Sequence, residues 1–504
     1  MLNATVTLDP AFRVAPVNRR TFGSFVEHLG RCVYTGIFEP DHPLADEDGL
    51  RKDVLDLTRE MGVSLVRYPG GNFVSGYRWE DGVGPVAERP RRLDLAWHST
   101  ETNEFGLNEF ARWAAKAGVE PMMAVNLGTR GVQEALDILE YSNHPSGTRL
   151  SDLRRRHGVA DPHGFALWCL GNELDGPWQI GHKTAREYGR LAAETARAMR
   201  MIDPNLELVA CGSSSSSMPT FGSWEADVLD EAFDYVDYIS CHAYYQEHDG
   251  DMASFLASAV DMDHFIGSVV ATADYVAAKK KSRKRIGISF DEWNVWYQTA
   301  HRDAGNPVDW PVAPRLLEDE YNVADAVVVG NLLISLLRHS DRVAAACQAQ
   351  LVNVIGPIRS EPGGSAWRQT TFHPFAITSR LATGDVLQAE ITSPATDTQR
   401  FGDVPVVDAV ATYDDDAGDI SVFLVNRSTA DDVQVDLDAR AIGPRRVVEA
   451  VGIHGDDLYA SNTETAPDRI TPQPNTSARL DDGGRLSVTL PKASWTALRL
   501  STTA

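Results

Sequence analysis

The chain reads as an α/β protein: a (β/α)8 TIM barrel with an all-β sandwich or jelly-roll domain at the C-terminal end. Three observations predict this. Eight short apolar runs alternate with helical segments between about residues 20 and 380. Beyond that, the pattern changes to apolar–polar alternation broken by turn signals. Finally, polar and charged residues collect just past the apolar runs, where barrels of this kind build their sites.

The eight strand candidates are Phe22–Glu27, Ser64–Arg67, Met122–Asn126, Ala166–Leu170, Leu206–Ala210, Tyr238–Cys241, Ile286–Phe290 and Val343–Cys347. They are apolar and bounded by Gly, Pro, Asn or Ser, as strands buried on both faces should be. Helical periodicity marks Leu50–Met61, Thr184–Met201, Asp263–Ala278 and Asn322–Arg338. Strand and helix alternating eight times imply a closed parallel sheet. Three connections exceed what a plain barrel needs: Pro69–Asn108, Asn143–Gly164 and Trp293–Tyr321. The first and third follow strands and should overhang the barrel mouth; the second precedes strand four and should lie at the opposite face, where stability or subunit contact is expected. Ser213–Ser217 reads as a flexible loop.

In the C-terminal part, Ala409–Tyr413, Ile420–Val425, Val433–Leu437, Val447–Val451, Arg485–Leu490 and Trp495–Leu500 have the period of half-buried strands. Leu2–Leu8 alternates in the same way and is expected to pair with them. The expected division is therefore a barrel over 17–380 and a β-domain over 381–504 plus 1–16.

With 504 residues, 43% hydrophobic and 23% charged, the chain has an ordinary globular composition. Its formal net charge of −24 disfavours nucleic acid or an anionic membrane as partner and is compatible with a neutral substrate such as a sugar. The basic run Lys279–Arg285 reads as a solvated turn. Five cysteines, an odd number at irregular spacing, argue for buried thiols rather than a disulfide framework. The N-terminus lacks a basic and an apolar stretch of signal-peptide type, and no run of 18 apolar residues occurs; the expectation is a cytoplasmic protein. No HExxH, EF-hand or CxxC spacing is found, so neither a metal nor another cofactor is expected.

Two glutamates carry the chemistry. Glu173 closes Cys169-Leu-Gly-Asn-Glu173 and Glu292 closes Ile288-Ser-Phe-Asp-Glu292, each just past a strand candidate. They stand 119 positions apart. At roughly 30–50 residues per βα unit this puts them on strands four and seven. Two carboxylates converging from different strands suit retaining glycoside hydrolysis, in which one is nucleophile and the other acid then base. Arg67 is placed to keep Glu292 ionised, and Tyr244 to donate a hydrogen bond to it. Asn172 is placed to bind a sugar 2-hydroxyl. Trp178, Trp296 and Trp310 are candidates for stacking on a sugar, although packing explains Trp178 equally well. The remaining polar strand tips are Glu27-His28, Asn126, His242 and Gln350. The glycines of Pro69-Gly-Gly-Asn72 lack the Lys-Ser/Thr pair of a phosphate loop and are expected to let backbone pass close to substrate.

Three long segments resemble the α-L-arabinofuranosidases of glycoside hydrolase family 51. They are Arg67-Tyr-Pro-Gly-Gly-Asn-Phe-Val-Ser-Gly-Tyr-Arg-Trp-Glu-Asp-Gly-Val-Gly-Pro85, Trp168-Cys-Leu-Gly-Asn-Glu-Leu-Asp-Gly-Pro-Trp-Gln-Ile-Gly-His182 and Phe290-Asp-Glu-Trp-Asn-Val-Trp296. The resemblance implies a barrel plus β-sandwich and a retaining, exo-acting mechanism. Its substrates would be terminal non-reducing α-L-arabinofuranosyl groups of arabinan, arabinoxylan and arabino-oligosaccharides. By the same resemblance Glu173 matches the acid/base and Glu292 the nucleophile. Glu27, Arg67, Asn72, Asn172, His242, Tyr244 and Gln350 match positions lining the sugar pocket, and Trp296 a tryptophan beside it. The resemblance also implies a cytoplasmic hexamer, built as a trimer of dimers. The residues leave alternatives open: another retaining glycosidase on this scaffold (a β-xylosidase or endo-glucanase), a non-catalytic carbohydrate-binding barrel, or a metal-dependent hydrolase.

Overall fold

The computed structural model describes residues 1–503. Eight parallel strands close a barrel: Gly23–Phe25, Leu65–Tyr68, Glu120–Ala124, Leu167–Leu170, Glu207–Ala210, Tyr238–Tyr245, Gly287–Val295 and Val343–Ala349, each beside its neighbour in sequence and the last beside the first. They occupy the eight apolar runs picked out in the sequence. Strands six and seven run past their predicted ends to Tyr245 and Val295, so the third long connection begins after Val295 rather than at Trp293. Periodicity could not show this, because Glu292, Asn294 and Tyr244 look like loop residues yet are held in the ladder by pairs such as Asn294–Tyr244.

Helices cover the barrel, and their ends follow local chemistry. Thr184 and Glu187 form a capping box at Ala185–Ile202, as do Asn322 and Asp325 at Val323–Arg338. The second helix is buried from Val323 to Leu337. A helix apolar all round must be covered all round. Here the barrel lies on one side and a β-sheet on the other, and Trp495 of that sheet packs against Gly330 so closely that a Cβ there would sit 2.2 Å from the indole.

That sheet has ten strands, in the order Gln473–Pro474, Arg446–Ile453, Ser494–Ser501, Asp419–Asn426, Val407–Asp414, Asp385–Thr392, Leu2–Pro16, Val433–Asp438, Arg485–Leu490, Arg479–Leu480. The N-terminal strand runs antiparallel to Asp385–Thr392 and parallel to Val433–Asp438. Side chains alternate between two cores. Val422, Leu424 and Leu498 join Val6, Val435 and Val488 in a core internal to the β-domain. Phe423, Val425 and Trp495 point the other way and join the barrel's core. Strands distant in the sheet order share the internal core, so the sheet curls over on itself, sandwich-fashion.

The five cysteines are all buried and unpaired. Among the described residues, no helix is long and apolar enough to cross a membrane. The bottom of the barrel is closed by Arg20, which pairs with Glu120 (2.6 Å) and Glu207 (2.8 Å) at the starts of strands three and five. Asn143–Gly164 contains the helix Arg149–Arg156, whose buried Arg154 donates to the carbonyls of Tyr141, His144 and Pro145. Ser213–Ser217 is not a free loop. Glu225 accepts from Ser213 N, Asp175 from Ser214 and Asp261 from Ser216.

A buried polar knot joins barrel and sheet. Asp408 accepts from Arg427 Nη2 (2.7 Å) and Asn331 Nδ2 (2.7 Å), and also pairs with Arg338. Removing one partner of such a network leaves the others charged and dry. Asp408→Ala is therefore expected to lower unfolding free energy by about 3–5 kcal/mol. Denaturant titration of the two proteins checks this; a loss below about 1 kcal/mol, the range of an exposed pair, contradicts it.

Candidate active site

At the C-terminal rim of the barrel, four carboxylates and two cations share a small buried volume. Glu173 follows strand four on a tight turn. Its φ is +42°, a region that non-glycine residues seldom occupy. Gly176 N closes the turn on Glu173 O (2.9 Å), and Asp175 within it is fastened by Ser214. Glu292 lies inside strand seven. One ligand-type atom each of Glu173, His242 and Glu292 lie within 4.8 Å of one another, so the two glutamates meet at one point of the rim.

Arg67, at the tip of strand two, is the first of the cations. Nη1 donates to Glu292 Oε1 (2.7 Å) and Nη2 to Asn172 Oδ1 (2.7 Å), while Nε lies 3.7 Å from Asp291. Burial opposes its charge, but Asp291 and Glu292 hold its pKa well above the ordinary value. Tyr244 donates to Glu292 Oε2 (2.7 Å). Burial and then the charge of Glu292 push that phenol well above its usual range, so it stays a donor. Glu292 thus receives one hydrogen bond on each oxygen.

His242 is the second cation. Nδ1 meets Glu173 Oε1 (2.9 Å) and lies 3.6 Å from Glu292; Nε2 meets Asp291 Oδ1 (3.0 Å). Burial disfavours the imidazolium, yet Glu292, Asp291 and Glu173 together raise its pKa to about 10. Asp291 is held below the usual carboxylate range: burial opposes this, and the charge of Arg67 and the His242 hydrogen bond outweigh it.

Glu27 sits beside this centre. It accepts from Phe73 N (2.9 Å), Trp97 Nε1 (3.0 Å) and Gln350 Nε2 (3.0 Å). Burial raises its pKa to about 8, against the pull of the Phe73 hydrogen bond. Asn172 Nδ2 reaches Asn72 Oδ1 (3.3 Å), and the Trp296 ring packs edge-on to Tyr244 at 5.0 Å. The ten residues that the family resemblance matches to the sugar pocket and its catalytic pair therefore gather at one place on the rim. Among the tryptophans, Trp178 is 52% exposed with its indole N–H on Glu173 Oε2 (2.7 Å), whereas Trp310 stacks on His98 at 4.9 Å. Asn126 and His28 tie loops together instead. Asn126 bonds Tyr77 O and Thr129, and His28 bonds Glu101 and Tyr68. The glycines admit carboxylates: a Cβ on Gly71 would lie 3.1 Å from Glu292 and 3.2 Å from Glu27.

Sequence reasoning missed Asp291, Trp97 and Gln179. Neighbours on a regular strand face opposite ways, so Asp291 and Glu292 should not both reach the mouth. They do, because the register slips between Ser289 and Glu292, where three steps on strand seven match two on strand six. Trp97 stands in a hairpin turn between Arg92–Asp94 and Ser99–Glu101. Gln179 accepts weakly from Asn172 (3.4 Å) and donates to Ser75 (2.5 Å). Only its place in the long segment Trp168–His182 could have singled it out.

Comparison with known proteins gives the family of the chain. Residues 57–265 match the family model described as α-L-arabinofuranosidase 1 domain, and residues 291–494 the one described as α-L-arabinofuranosidase C-terminal domain. The chain is 60% identical over 501 residues to an intracellular exo-α-(1→5)-L-arabinofuranosidase of Streptomyces lividans, covering 99% of this chain and 75% of that one. It is 58% identical over 509 residues to an exo-α-(1→6)-L-arabinofuranosidase of Bifidobacterium longum, covering 98% and 97%. Among solved structures, a family 51 α-L-arabinofuranosidase of Bifidobacterium longum superposes with a TM-score of 0.95 at 48% identity, over 99% of this chain and 100% of that one. The arabinose complex of the Thermotoga maritima enzyme gives 0.87 at 32%, with the same coverage. The chain belongs to the α-L-arabinofuranosidases of glycoside hydrolase family 51.

Proposed function

We propose that this chain is an exo-acting α-L-arabinofuranosidase that works by double displacement, with Glu292 as nucleophile and Glu173 as acid/base. The carrying observation is the approach of the two carboxylates, with an oxygen of each within 4.8 Å. Retaining enzymes hold the pair about 5–5.5 Å apart, and inverting ones about 6.5–9.5 Å, to seat a water between them. The division of roles follows from their neighbours. Arg67 and Tyr244 donate to the two oxygens of Glu292 and so hold its carboxylate in place for attack on the anomeric carbon. Glu173 instead accepts on Oε2 from the half-exposed Trp178 indole, which marks its side of the pair as the one where a departing alcohol leaves and water enters.

In the first step Glu292 attacks C1 and the glycosidic oxygen takes the proton of Glu173. In the second, Glu173 removes a proton from water, which attacks C1 and releases Glu292. The cationic His242 stands between them and stabilises whichever carboxylate is charged. Glu27, Asn72, Asn172 and Gln350 supply hydrogen bonds for the sugar hydroxyls, and Trp296 backs Tyr244. The substrates are terminal non-reducing arabinofuranosyl groups of arabinan, arabinoxylan and their oligosaccharides. Relatives named for 1→5 and for 1→6 linkages are about equally similar to the chain, so overall identity does not choose the linkage.

We take residues 17–380 as the catalytic unit and 381–504 with 1–16 as the second unit; pairing of Leu2–Pro16 with Val433–Asp438 supports the split. The relatives named intracellular support a cytoplasmic location. A hexamer, as a trimer of dimers, is the assembly proposed from the family resemblance.

Hydrolysis of aryl α-L-arabinofuranoside is expected to exceed that of aryl β-xyloside and cellulose; a preference for either of the latter overturns the substrate reading. Glu292→Ala should abolish turnover, with azide restoring it through an inverted product. Glu173→Ala should cost about 10²–10⁴-fold on substrates with poor leaving groups and far less on activated aryl glycosides. Equal losses on both would remove Glu173 from the proton-donor role. His242 has a separate pH signature. Its folded pKa of about 10 lies above the ordinary 6.5. Its stabilisation is therefore fully present below pH 6.5 and declines as pH rises through about 10. The stability gap between wild type and His242→Gln should narrow over that window in denaturant titrations. A gap independent of pH contradicts a charged imidazole.

A further inference from the structure

We propose that Glu173, His242 and Glu292 also form a three-ligand site for a divalent cation of the zinc class, and that the bound cation excludes the sugar. The inference rests on the reading of Glu173 and Glu292 as the catalytic pair, but the geometry stands by itself. One ligand atom from each residue falls within 4.8 Å of the others. His242 Nδ1 lies 2.9 Å from Glu173 Oε1 and 3.6 Å from Glu292 Oε2. Ligand atoms on a tetrahedral Zn²⁺, each about 2.0–2.1 Å from the metal, sit roughly 3.3–3.5 Å apart. Small side-chain shifts bring this trio to that spacing.

The surroundings match what a metal-binding imidazole needs. A ligating histidine almost always gives its other ring N–H to a carboxylate, a backbone carbonyl or a water, which fixes the ring. Here His242 Nε2 meets Asp291 Oδ1 at 3.0 Å, leaving Nδ1 aimed between the two glutamates. Trp178 fixes Glu173 through its other oxygen, and Tyr244 and Arg67 fix Glu292. The three side chains are at most 10% exposed. One imidazole with two carboxylates is a borderline donor set, suited to Zn²⁺ and poor for Mg²⁺, which prefers oxygen ligands and keeps its waters. Three protein ligands leave a fourth position for water, as in open zinc sites. On binding, the Nδ1 proton of His242 and the acid proton of Glu173 leave to solvent and the cation replaces their positive charge; nothing is oxidised or reduced.

A second acidic group, Asp46, Glu47 and Asp48, serves as the contrast. It is more exposed, has no imidazole, and is already bridged by Lys116 Nζ at 2.7, 3.0 and 2.7 Å. It should not compete for the metal.

The test uses the full chain, freed of metal by chelator and titrated with ZnCl₂ by calorimetry and by inhibition. The expected result is one Zn²⁺ per chain, with affinity at least about tenfold weaker in Glu173→Gln and in Glu292→Gln. On wild type, Zn²⁺ should raise the KM for aryl α-L-arabinofuranoside, leave kcat unchanged and be reversed by EDTA. MgCl₂ should do nothing, and the Asp46→Asn/Asp48→Asn double variant should bind Zn²⁺ like wild type. The proposal is overturned by unchanged affinity in both glutamate variants, by loss of binding in the acidic-loop variant, by a fall in kcat at constant KM, or by no binding up to about 1 mM. The two readings separate cleanly. Turnover without Zn²⁺ binding removes the metal site alone. Binding with the expected mutational pattern, but no arabinofuranoside cleavage by the metal-free protein, removes the enzymatic reading alone.

Discussion

The whole rim is organised by one electrostatic constraint: Glu173, Asp291 and Glu292 are buried together around Arg67 and His242, with Glu27 beside them on neutral donors. Unpaired charges in such a place cost several kcal/mol each. The fold meets that cost by threading the cations between the anions. Arg67 spans Glu292 and Asn172 and lies beside Asp291. His242 spans Asp291 and Glu173. Neither cation can be removed without stranding a carboxylate. Both stand on strands rather than loops, so their positions are as rigid as the barrel.

This arrangement accounts for the irregularities around it. The register slip in strand seven turns Asp291 and Glu292 toward the same side, giving His242 an anion at each nitrogen. The left-handed turn at Glu173 brings its carboxylate back over the mouth, and Ser214 steadies that turn through Asp175. Glycine at 71 leaves room for Glu27 and Glu292 to stand close together. Farther out, the all-apolar helix Val323–Arg338 needs cover on every side, and the curled sheet supplies what the barrel does not. The β-domain is thus part of what keeps strands seven and eight in place, not an appendage.

Much of this was readable from residues alone. The eight strands announce themselves as short apolar runs, because a strand buried on both faces cannot alternate. Glu173 and Glu292 stand out because a carboxylate directly after such a run needs a reason. Asp291 does not, since its neighbour already explains the segment and a bulge leaves no compositional trace. Ser213–Ser217 misleads in the other direction: five serines suggest mobility, but the carboxylates that pin three of them stand 12, 39 and 45 positions away. Trp97 was invisible for a similar reason. Its indole meets Glu27 only because a hairpin within the long loop after strand two folds back over the mouth. Long-range polar pairing is the part of this fold that local pattern does not encode.

The central claim is that two carboxylates act in turn on one anomeric carbon. The most direct measurement is the configuration of the first arabinose released, followed by proton NMR before the anomers equilibrate. The account predicts the α-furanose as the initial product, that of net retention by two displacements. The β-furanose appearing first would mean a single displacement by water, which the close approach of Glu173 and Glu292 leaves no room for, and would contradict it.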